Sequence, residues 1–136
     1  MFAFRQNPVA LKRTNWSFYV AQSYRIIEIP ATDPTPIAYE ISTTKYTYAI
    51  SRTKDDKEFL AFHWDGKEDP HLHVGFAAKE MGALMDKKLH IPSGRVAVEQ
   101  VVRFLINQVG APERTKNALV AVAERLKIFW KHKSWS

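Results

Sequence analysis

The sequence predicts an α+β fold, in which a small antiparallel sheet of four to five strands carries two C-terminal helices packed on one face. Two observations lead to this prediction. Short segments between residues 24 and 77 are apolar or alternate apolar with polar side chains, whereas the apolar residues after Val98 follow the period of a helix. With 136 residues, the chain has the length of one domain, which we place over residues 1–136.

The strands are predicted from apolar runs and alternation between turn-forming residues. The clearest is KYTYAISR, where Tyr46, Tyr48 and Ile50 alternate with smaller or polar residues, as in a strand buried on one face. A proline-rich loop and two polar turns separate the others. The predicted strands are residues 24–29, 38–42, 45–52, 58–64 and 71–77. Residues 1–14 are predicted to form an irregular N-terminal arm.

The helices are predicted from a change of period. One apolar stripe has helical spacing and consists of Val98, Val101, Val102, Leu105, Ile106 and Val109. Gly110 is a natural stop for this helix, and Pro112 is a natural first-turn residue for the next. The second helix is expected to bury Leu119, Val122, Leu126 and Phe129, and to run into a basic tail at 131–136. Residues 78–89 are compatible with a short helix or a loop, because Gly82 weakens a helix.

The chain contains no cysteine, which excludes disulfide bonds, thiolate metal sites, iron–sulfur clusters and a cysteine nucleophile. The absence of cysteine fits a reducing compartment, so we expect a cytoplasmic protein. No segment approaches the roughly 18 uninterrupted apolar residues of a membrane helix, and residues 1–10 lack a signal-peptide run. We therefore expect no membrane partner.

Positive charge is concentrated at the two ends of the chain. The formal net charge is +6, of which residues 1–30 contribute +3 and residues 112–136 contribute +4, while the middle is close to neutral. Basic ends attract RNA or an acidic protein partner, although they also serve simply as a solvated surface. The residues proposed for a nucleic-acid surface are Lys127, Trp130, Lys131 and Lys133. The alternative is that they form a docked helix end.

Histidines dominate the polar chemistry of the predicted sheet. On one strand Leu60, Phe62 and Trp64 share a face, and Leu72, Val74 and Phe76 share a face on the next; we expect these six under the helices. The opposite face then carries the polar set and its neighbours: Phe59, Ala61, His63, His71 and His73. Three imidazoles are thereby predicted to converge, with Asp65 and Asp69 supporting them from the intervening turn. A register slip of one residue would scatter this cluster.

A second polar group precedes the first long helix. Ser93 and Gly94 are predicted to expose backbone N–H groups near the helix N-terminus, and Arg95 adds a planar set of donors, so that together they resemble a phosphate-binding site. His90 is a supporting candidate. The alternative is an ordinary turn in which Arg95 ties down a loop.

Three kinds of chemistry fit the histidines. The first is a divalent transition metal held by His71 and His73, with His63 or His90 as a third ligand. The second is metal-free acid–base catalysis of RNA cleavage by His63, His71 and His73, with Arg95 binding phosphate. The third is a non-catalytic surface that binds a partner or a second subunit. We favour a protein that binds or cleaves RNA through the histidine cluster. A non-enzymatic partner-binding module is the first alternative, and a histidine-ligated metalloprotein is the second. The sequence fixes neither a cofactor nor a substrate.

The runs FHWDG, DPHLHVGF and HIPSGRVAVEQVVRFLI carry a resemblance, spread over residues 58–110. They resemble a family of small, uncharacterised prokaryotic proteins with a Pro-His-x-His strand and a His-Ile-Pro-[Ser/Thr]-Gly-Arg turn. That arrangement is distantly similar to the TumE-like toxins of toxin–antitoxin systems. The resemblance implies an RNA target and an acidic antitoxin-like partner, or membership of a defence or mobile-element complex. It brings no catalytic assignment with it.

Overall fold

The computed structural model describes residues 2–3, 8–30, 38–80, 82, 90–113 and 117–132. Within these residues the fold is α+β, as predicted. Every strand pairing is antiparallel, and the strands are β1 (Phe2–Ala3), β2 (Val9–Ala10), β3 (Trp16–Ile29), β4 (Ala38–Arg52), β5 (Lys57–Trp64), β6 (His71–Val74) and β7 (His90–Pro92). The helices are α1 (Phe76–Glu80), α2 (Val98–Phe104) and α3 (Ala118–His132).

The sheet is a meander with an added edge. Strands β3 to β7 pair in chain order, while β1 and β2 both pair with the outer edge of β3. The described residues therefore form seven strands, and the prediction of four to five was wrong. Two of the additional strands are two-residue segments from the arm predicted to be irregular. Their shortness hides them in the sequence, because alternation needs about four residues to be visible.

Strands β3 and β4 form a long hairpin that extends beyond the rest of the sheet. They span 14 and 15 residues, so the predicted strands 38–42 and 45–52 are parts of one strand. The register shifts between Ser23 and Tyr24, where Ser23 pairs with Lys45 and Tyr24 with Thr43. This β-bulge takes up Thr44 without ending the strand. Beyond it, residues 24–29 and 38–43 form a two-stranded segment, which we call the ribbon.

The core lies between the sheet and α2. Buried side chains from β4 meet buried side chains from the helical segment in one apolar cluster: Tyr46, Tyr48, Ile50, Val101, Leu105 and Ala111. The rings of Tyr46 and Tyr48 stack with centroids 4.7 Å apart. Partly buried Phe62 and Trp64 pack against the cluster, as alternation predicted. Phe59 also packs there, which corrects its prediction for the opposite face.

The position of Phe59 follows from a second bulge. Ile50 pairs with Leu60 and Ser51 pairs with Glu58, so Phe59 has no direct partner in the register. A bulge residue leaves the simple alternation of faces. The ring of Phe59 accordingly lies 4.7 Å from the ring of Trp16. Residues after the bulge recover their predicted alternation.

Strand β6 ends earlier than predicted, at Val74 rather than residue 77. The Gly75 N–H donates to the carbonyl of Phe59 at 2.9 Å, and a Cβ at Gly75 would lie 2.1 Å from the carbonyl oxygen of Glu58. Only glycine fits this close approach. Helix α1 starts directly afterwards, so Phe76 is exposed rather than paired with Val74 on the core face.

The helical layer is built from α2, a π-helical turn over Leu105–Val109, and α3. The turn ends at Gly110, whose φ of 82° is the left-handed conformation predicted for a helix stop. Helix α3 contacts α2 and buries Leu126. It begins at Ala118, so the prediction of Pro112 as a first-turn residue was wrong. In the described part of the chain, no helix is long and apolar enough to cross a membrane.

Candidate functional site

Strand pairing brings the three predicted histidine rings together on one face of the sheet. His63 pairs directly with His71, and His73 pairs with Ala61 two residues away. The ring centroids of His63 and His73 are 4.5 Å apart, those of His71 and His73 are 4.9 Å apart, and those of His63 and His71 are 6.1 Å apart. Phe62 and Trp64 turn toward the core, so this face lies opposite α2.

The backbone fixes which nitrogen of His71 carries a proton. Nδ1 of His71 lies 2.8 Å from the carbonyl oxygen of Asp69. A carbonyl oxygen only accepts hydrogen bonds, so Nδ1 is the donor. In the neutral ring, Nε2 then carries the lone pair and is the atom that can take up a proton. Asp69 therefore supports the site through its main chain.

His63 has a different kind of partner. Its Nδ1 lies 3.3 Å from Oγ1 of Thr47, the residue that pairs with His63 on β4. A hydroxyl group both donates and accepts, so this hydrogen bond persists whether Nδ1 carries a proton or a lone pair. His63 is thus held by a group that tolerates either tautomer. The Nε2 atom of the third ring, His73, is buried.

The histidines open onto a cavity of about 260 Å³. It lies at the end of β5 and the start of β6, where the connecting turn folds beside β4. The residues that line it are Tyr46, Thr47, His63, Trp64, Asp65, Glu68, His71 and His73. A cavity of this size accommodates a group smaller than a typical drug-sized ligand.

Asp65 lines the cavity, but its carboxylate mainly shapes the turn. One oxygen accepts the backbone N–H groups of Lys67 at 2.8 Å and Glu68 at 3.1 Å. These hydrogen bonds lower the pKa of the Asp65 carboxyl group, which keeps it ionised at neutral pH. Asp65 thus adds negative charge beside the imidazoles and fixes the turn between β5 and β6.

Arg95 lies beside a residue that forms one wall of the histidine cavity. Its guanidinium carbon lies 3.8 Å from the ring centroid of Trp64, in a cation–π contact. The neighbouring backbone is tied to β4, because the N–H of Val96 donates to the Tyr46 hydroxyl at 3.1 Å. Trp64 packs toward the core, and Arg95 is not among the described residues that line the cavity. Because Trp64 also lines the cavity, Arg95 lies next to the candidate site without lining it.

Ser93 and Gly94 form a turn and lie before the helix. The N–H of Ser93 donates to the carbonyl of Pro70 at 3.1 Å, and its hydroxyl donates to the carbonyl of Gly94 at 2.9 Å. Gly94 has a φ of 66°, typical of a turn glycine. Because α2 begins only at Val98, these residues are outside its first turn. The structure thus brings them to the start of β6 instead of a helix N-terminus.

The metal hypothesis depends on the grouping of ligand side chains. Among the residues described, no group of three or more histidine, cysteine, aspartate or glutamate residues is placed to hold a metal ion. His90 pairs with His73 through the backbone, so the two resemblance motifs are adjacent strands. The His90 side chain is outside the described part of the structure.

The predicted nucleic-acid surface on the C-terminal helix lies in the helical layer. Lys127 is exposed and pairs with Glu124 at 2.8 Å, one turn earlier in α3. The side chains of Trp130 and Lys131, and the whole of Lys133, lie outside the described residues. Since α3 contacts α2, and α2 covers the core face, Lys127 is not on the histidine face.

The sequence analysis did not predict four of the cavity residues for the site: Tyr46 and Trp64, which it assigned to the buried face, and Thr47 and Glu68. Thr47 alternates with Tyr46 and Tyr48, so extending the face analysis to β4 would have placed it beside His63. Glu68 had no comparable signal, because its position depends on how the turn folds.

No protein-family model, curated protein or solved structure matches the chain.

Proposed function

We propose that the protein is a toxin-like ribonuclease that cleaves RNA without a metal ion, using the histidine cluster as general base and general acid. The strongest support is that two half-buried imidazoles line one cavity and have different hydrogen-bond partners. His71 has a fixed tautomer, while His63 has a hydroxyl partner that accepts both tautomers. Acid–base catalysis needs one ring that takes a proton and one that gives it.

In the proposed reaction, Nε2 of His71 takes the proton of a ribose 2′-hydroxyl, and the 2′-oxygen attacks the adjacent phosphorus. The bond from phosphorus to the 5′-oxygen breaks, and His63 donates the proton that this leaving oxygen needs. The products are a 2′,3′-cyclic phosphate and a 5′-hydroxyl. His73, which lies between the other two rings, keeps their planes in place.

The spacing of the rings suits a single reacting group. The centroids of His63 and His73 are 4.5 Å apart, and both rings line the cavity that also holds the ionised Asp65 carboxylate. One phosphodiester in this cavity would therefore lie beside more than one imidazole.

We also propose that RNA reaches the site by nonspecific attraction to the basic chain, in the cytoplasm, and that an acidic antitoxin-like protein neutralises it. The net charge of +6 supports this proposal, as does the resemblance of residues 58–110 to toxin-related proteins. In this scheme Arg95, which lies over the cavity residue Trp64, contacts a phosphate of the bound RNA.

The test is cleavage of a DNA oligonucleotide that contains a single ribonucleotide, with products identified by mass spectrometry. We expect His71→Ala and His63→Ala to lower the rate by roughly 10²- to 10⁴-fold. The matched control is His132→Ala, which removes a histidine in α3 and should leave the rate unchanged. EDTA should have no effect, and the rate should have a bell-shaped dependence on pH.

Several outcomes would contradict the proposal. Equal cleavage by all variants would point to a contaminating nuclease. Cleavage lost in EDTA and restored by a divalent metal would favour the metal hypothesis instead. RNA binding without any cleavage would support the non-enzymatic binding module.

A further inference from the structure

The ribbon exposes several large apolar side chains on one of its faces. Its side chains include four large apolar residues on one face, of which Ile26, Ile41 and Tyr39 are 66%, 67% and 69% exposed, and Tyr24 is 38% exposed. In the described residues, neither ribbon strand pairs with a third strand beyond Tyr24 and Thr43. An isolated two-stranded hairpin is marginally stable in water, so this face needs a cover.

The register fixes which residues share the exposed face. Tyr24 pairs with Thr43 at the base, Ile26 pairs with Ile41 in the middle, and Glu28 pairs with Tyr39 nearest the tip. Directly opposed residues of antiparallel strands point to the same side. The face is therefore three rows long, apolar in the centre, with its one charge at the tip end.

This face continues the side of the sheet that α2 covers. Tyr24 and Ile26 follow Gln22 in alternation on β3, and the Gln22 amide donates to the Thr43 hydroxyl at 2.7 Å. Gln22 also accepts a hydrogen bond from the hydroxyl of core residue Tyr48. Helix α2 therefore covers one part of a continuous face and leaves the ribbon part exposed.

We propose that the exposed ribbon face binds the same face of a second copy of this chain, forming a two-fold symmetric dimer. The four exposed fractions correspond to on the order of 500 Å² of side-chain surface per chain. Two copies would then cover on the order of 1,000 Å², about the minimum for a specific interface. This inference does not depend on the proposed ribonuclease activity.

The geometry favours an antiparallel arrangement of the two ribbons. In a parallel arrangement the two helical layers would clash, because α2 packs on the same side of the sheet as the exposed ribbon face. In the antiparallel arrangement, the base row of one ribbon meets the tip row of the other, and the middle rows meet on the two-fold axis. Ile41 then lies against its own symmetry mate.

The single charge on the face also fits this arrangement. Antiparallel packing separates the two Glu28 carboxylates to opposite ends of the interface and places each near the partner's Tyr24 hydroxyl. No two like charges meet, and each carboxylate faces a hydroxyl donor. The other face of the ribbon carries Arg25 and Glu40 among its apolar residues, so it is less suited to a dry contact.

A pair of substitutions on the two faces tests the proposal. Ile41→Lys places two lysines on the two-fold axis, and we expect its dimer dissociation constant to rise at least about 100-fold. The matched control is Ile27→Lys, on the opposite face of the same ribbon, which should leave the dimer intact. Sedimentation velocity measures the oligomeric state, and circular dichroism verifies that both variants fold.

A cysteine variant provides an independent readout, because the natural chain has no cysteine. Under mild oxidation, Ile41→Cys should form a covalent dimer at a rate at least about tenfold faster than Ile27→Cys. A wild-type chain that is monomeric at about 100 µM would overturn the proposal. Equal cross-linking of the two cysteine variants, or equal dissociation of the two lysine variants, would overturn it as well.

Discussion

The two faces of β4 and β5 differ in burial, although alternate residues of the same strands form them. One face packs in the core, and the other lines an open cavity. On one face Tyr46 and Tyr48 stack and are buried beneath α2. On the other, Thr47 and His63 form a hydrogen bond at the edge of an open cavity. Neighbouring residues of one strand therefore point alternately toward the core and toward the candidate site. The comparison teaches that the packed face holds the polar face in register, because a strand cannot shift one face without the other.

The strongest test of this division compares a core residue with a site residue. We expect Tyr48→Ala to lower the free energy of unfolding by about 3–5 kcal/mol, because it leaves a cavity in the core. His73→Ala, on the other face, should lower it by less than about 1.5 kcal/mol while reducing RNA cleavage. Urea denaturation measures both. A greater loss of stability in His73→Ala would mean that the imidazoles are structural.

A second test disturbs the packing between β5 and β6, which holds the two histidine strands together. Gly75→Ala places a methyl group against the Glu58 carbonyl, so we expect a loss of about 3 kcal/mol in unfolding free energy. The control is Gly82→Ala, where no atom lies within 4 Å of the added Cβ. Its φ of 95° should cost only about 1 kcal/mol. Equal losses would show that the close approach is unimportant.

A third test removes the link between the polar face of β4 and the site. We treat Thr47 as a positioning residue for His63. Thr47→Val keeps the shape but removes the hydroxyl, and we expect a fall in cleavage rate of about tenfold with a shift in the pH profile. Thr47→Ser should restore both. An unchanged pH profile in Thr47→Val would show that the hydroxyl does not control His63.

The smallest expected effect concerns a polar network outside both faces. Arg52 bonds the carboxylates of Asp55 and Glu80, and Glu80 also bonds Lys57. The hydrogen bond from Arg52 is the main cause that lowers the pKa of Asp55 from 3.8 to about 2. Because the pKa is lower in the folded state, this stabilisation is complete above about pH 4 and is lost as the pH falls toward 2.

Asp55→Asn should therefore flatten the acid dependence of the melting temperature between pH 4 and pH 2 without affecting cleavage at neutral pH. The pKa of Glu80 is also lowered, first by its hydrogen bond to Lys57, so some acid dependence should remain in Asp55→Asn. If Asp55→Asn retains the full acid dependence of the wild-type melting temperature, the Asp55 ion pair does not contribute to stability in solution.

The alternation of apolar and polar residues correctly predicted side-chain direction wherever each strand residue pairs with one residue of the neighbouring strand. It placed Phe62 and Trp64 in the core and put His63 on the same face as His71 and His73, because a pleat repeats every two residues. It failed at Phe59, where a bulge inserts one residue, and at Phe76, where Gly75 ends the strand. Bulges and strand ends depend on the neighbouring strand, so a single segment carries little sign of them.

The roles of Arg95 and Ser93 show a different limit. The sequence placed both beside the start of a helix, but α2 begins at Val98 and Arg95 lies over Trp64. Proximity along the chain does not fix which side chain of a neighbouring strand a loop residue contacts. The exposure of the ribbon could not be predicted either, because its isoleucines are typical of core residues and only the surrounding sheet shows that they are uncovered.

By itself, the sequence determined the α+β class, the stop at Gly110 and the common face of the three histidines, since these follow from local periodicity and backbone preference. Tertiary structure alone decided the lining of the cavity, the hydrogen bond between Thr47 and His63, and the exposure of the ribbon. These depend on which distant segments meet. The physical reason is that side-chain direction is a local property, whereas burial and electrostatic environment are set by the whole fold.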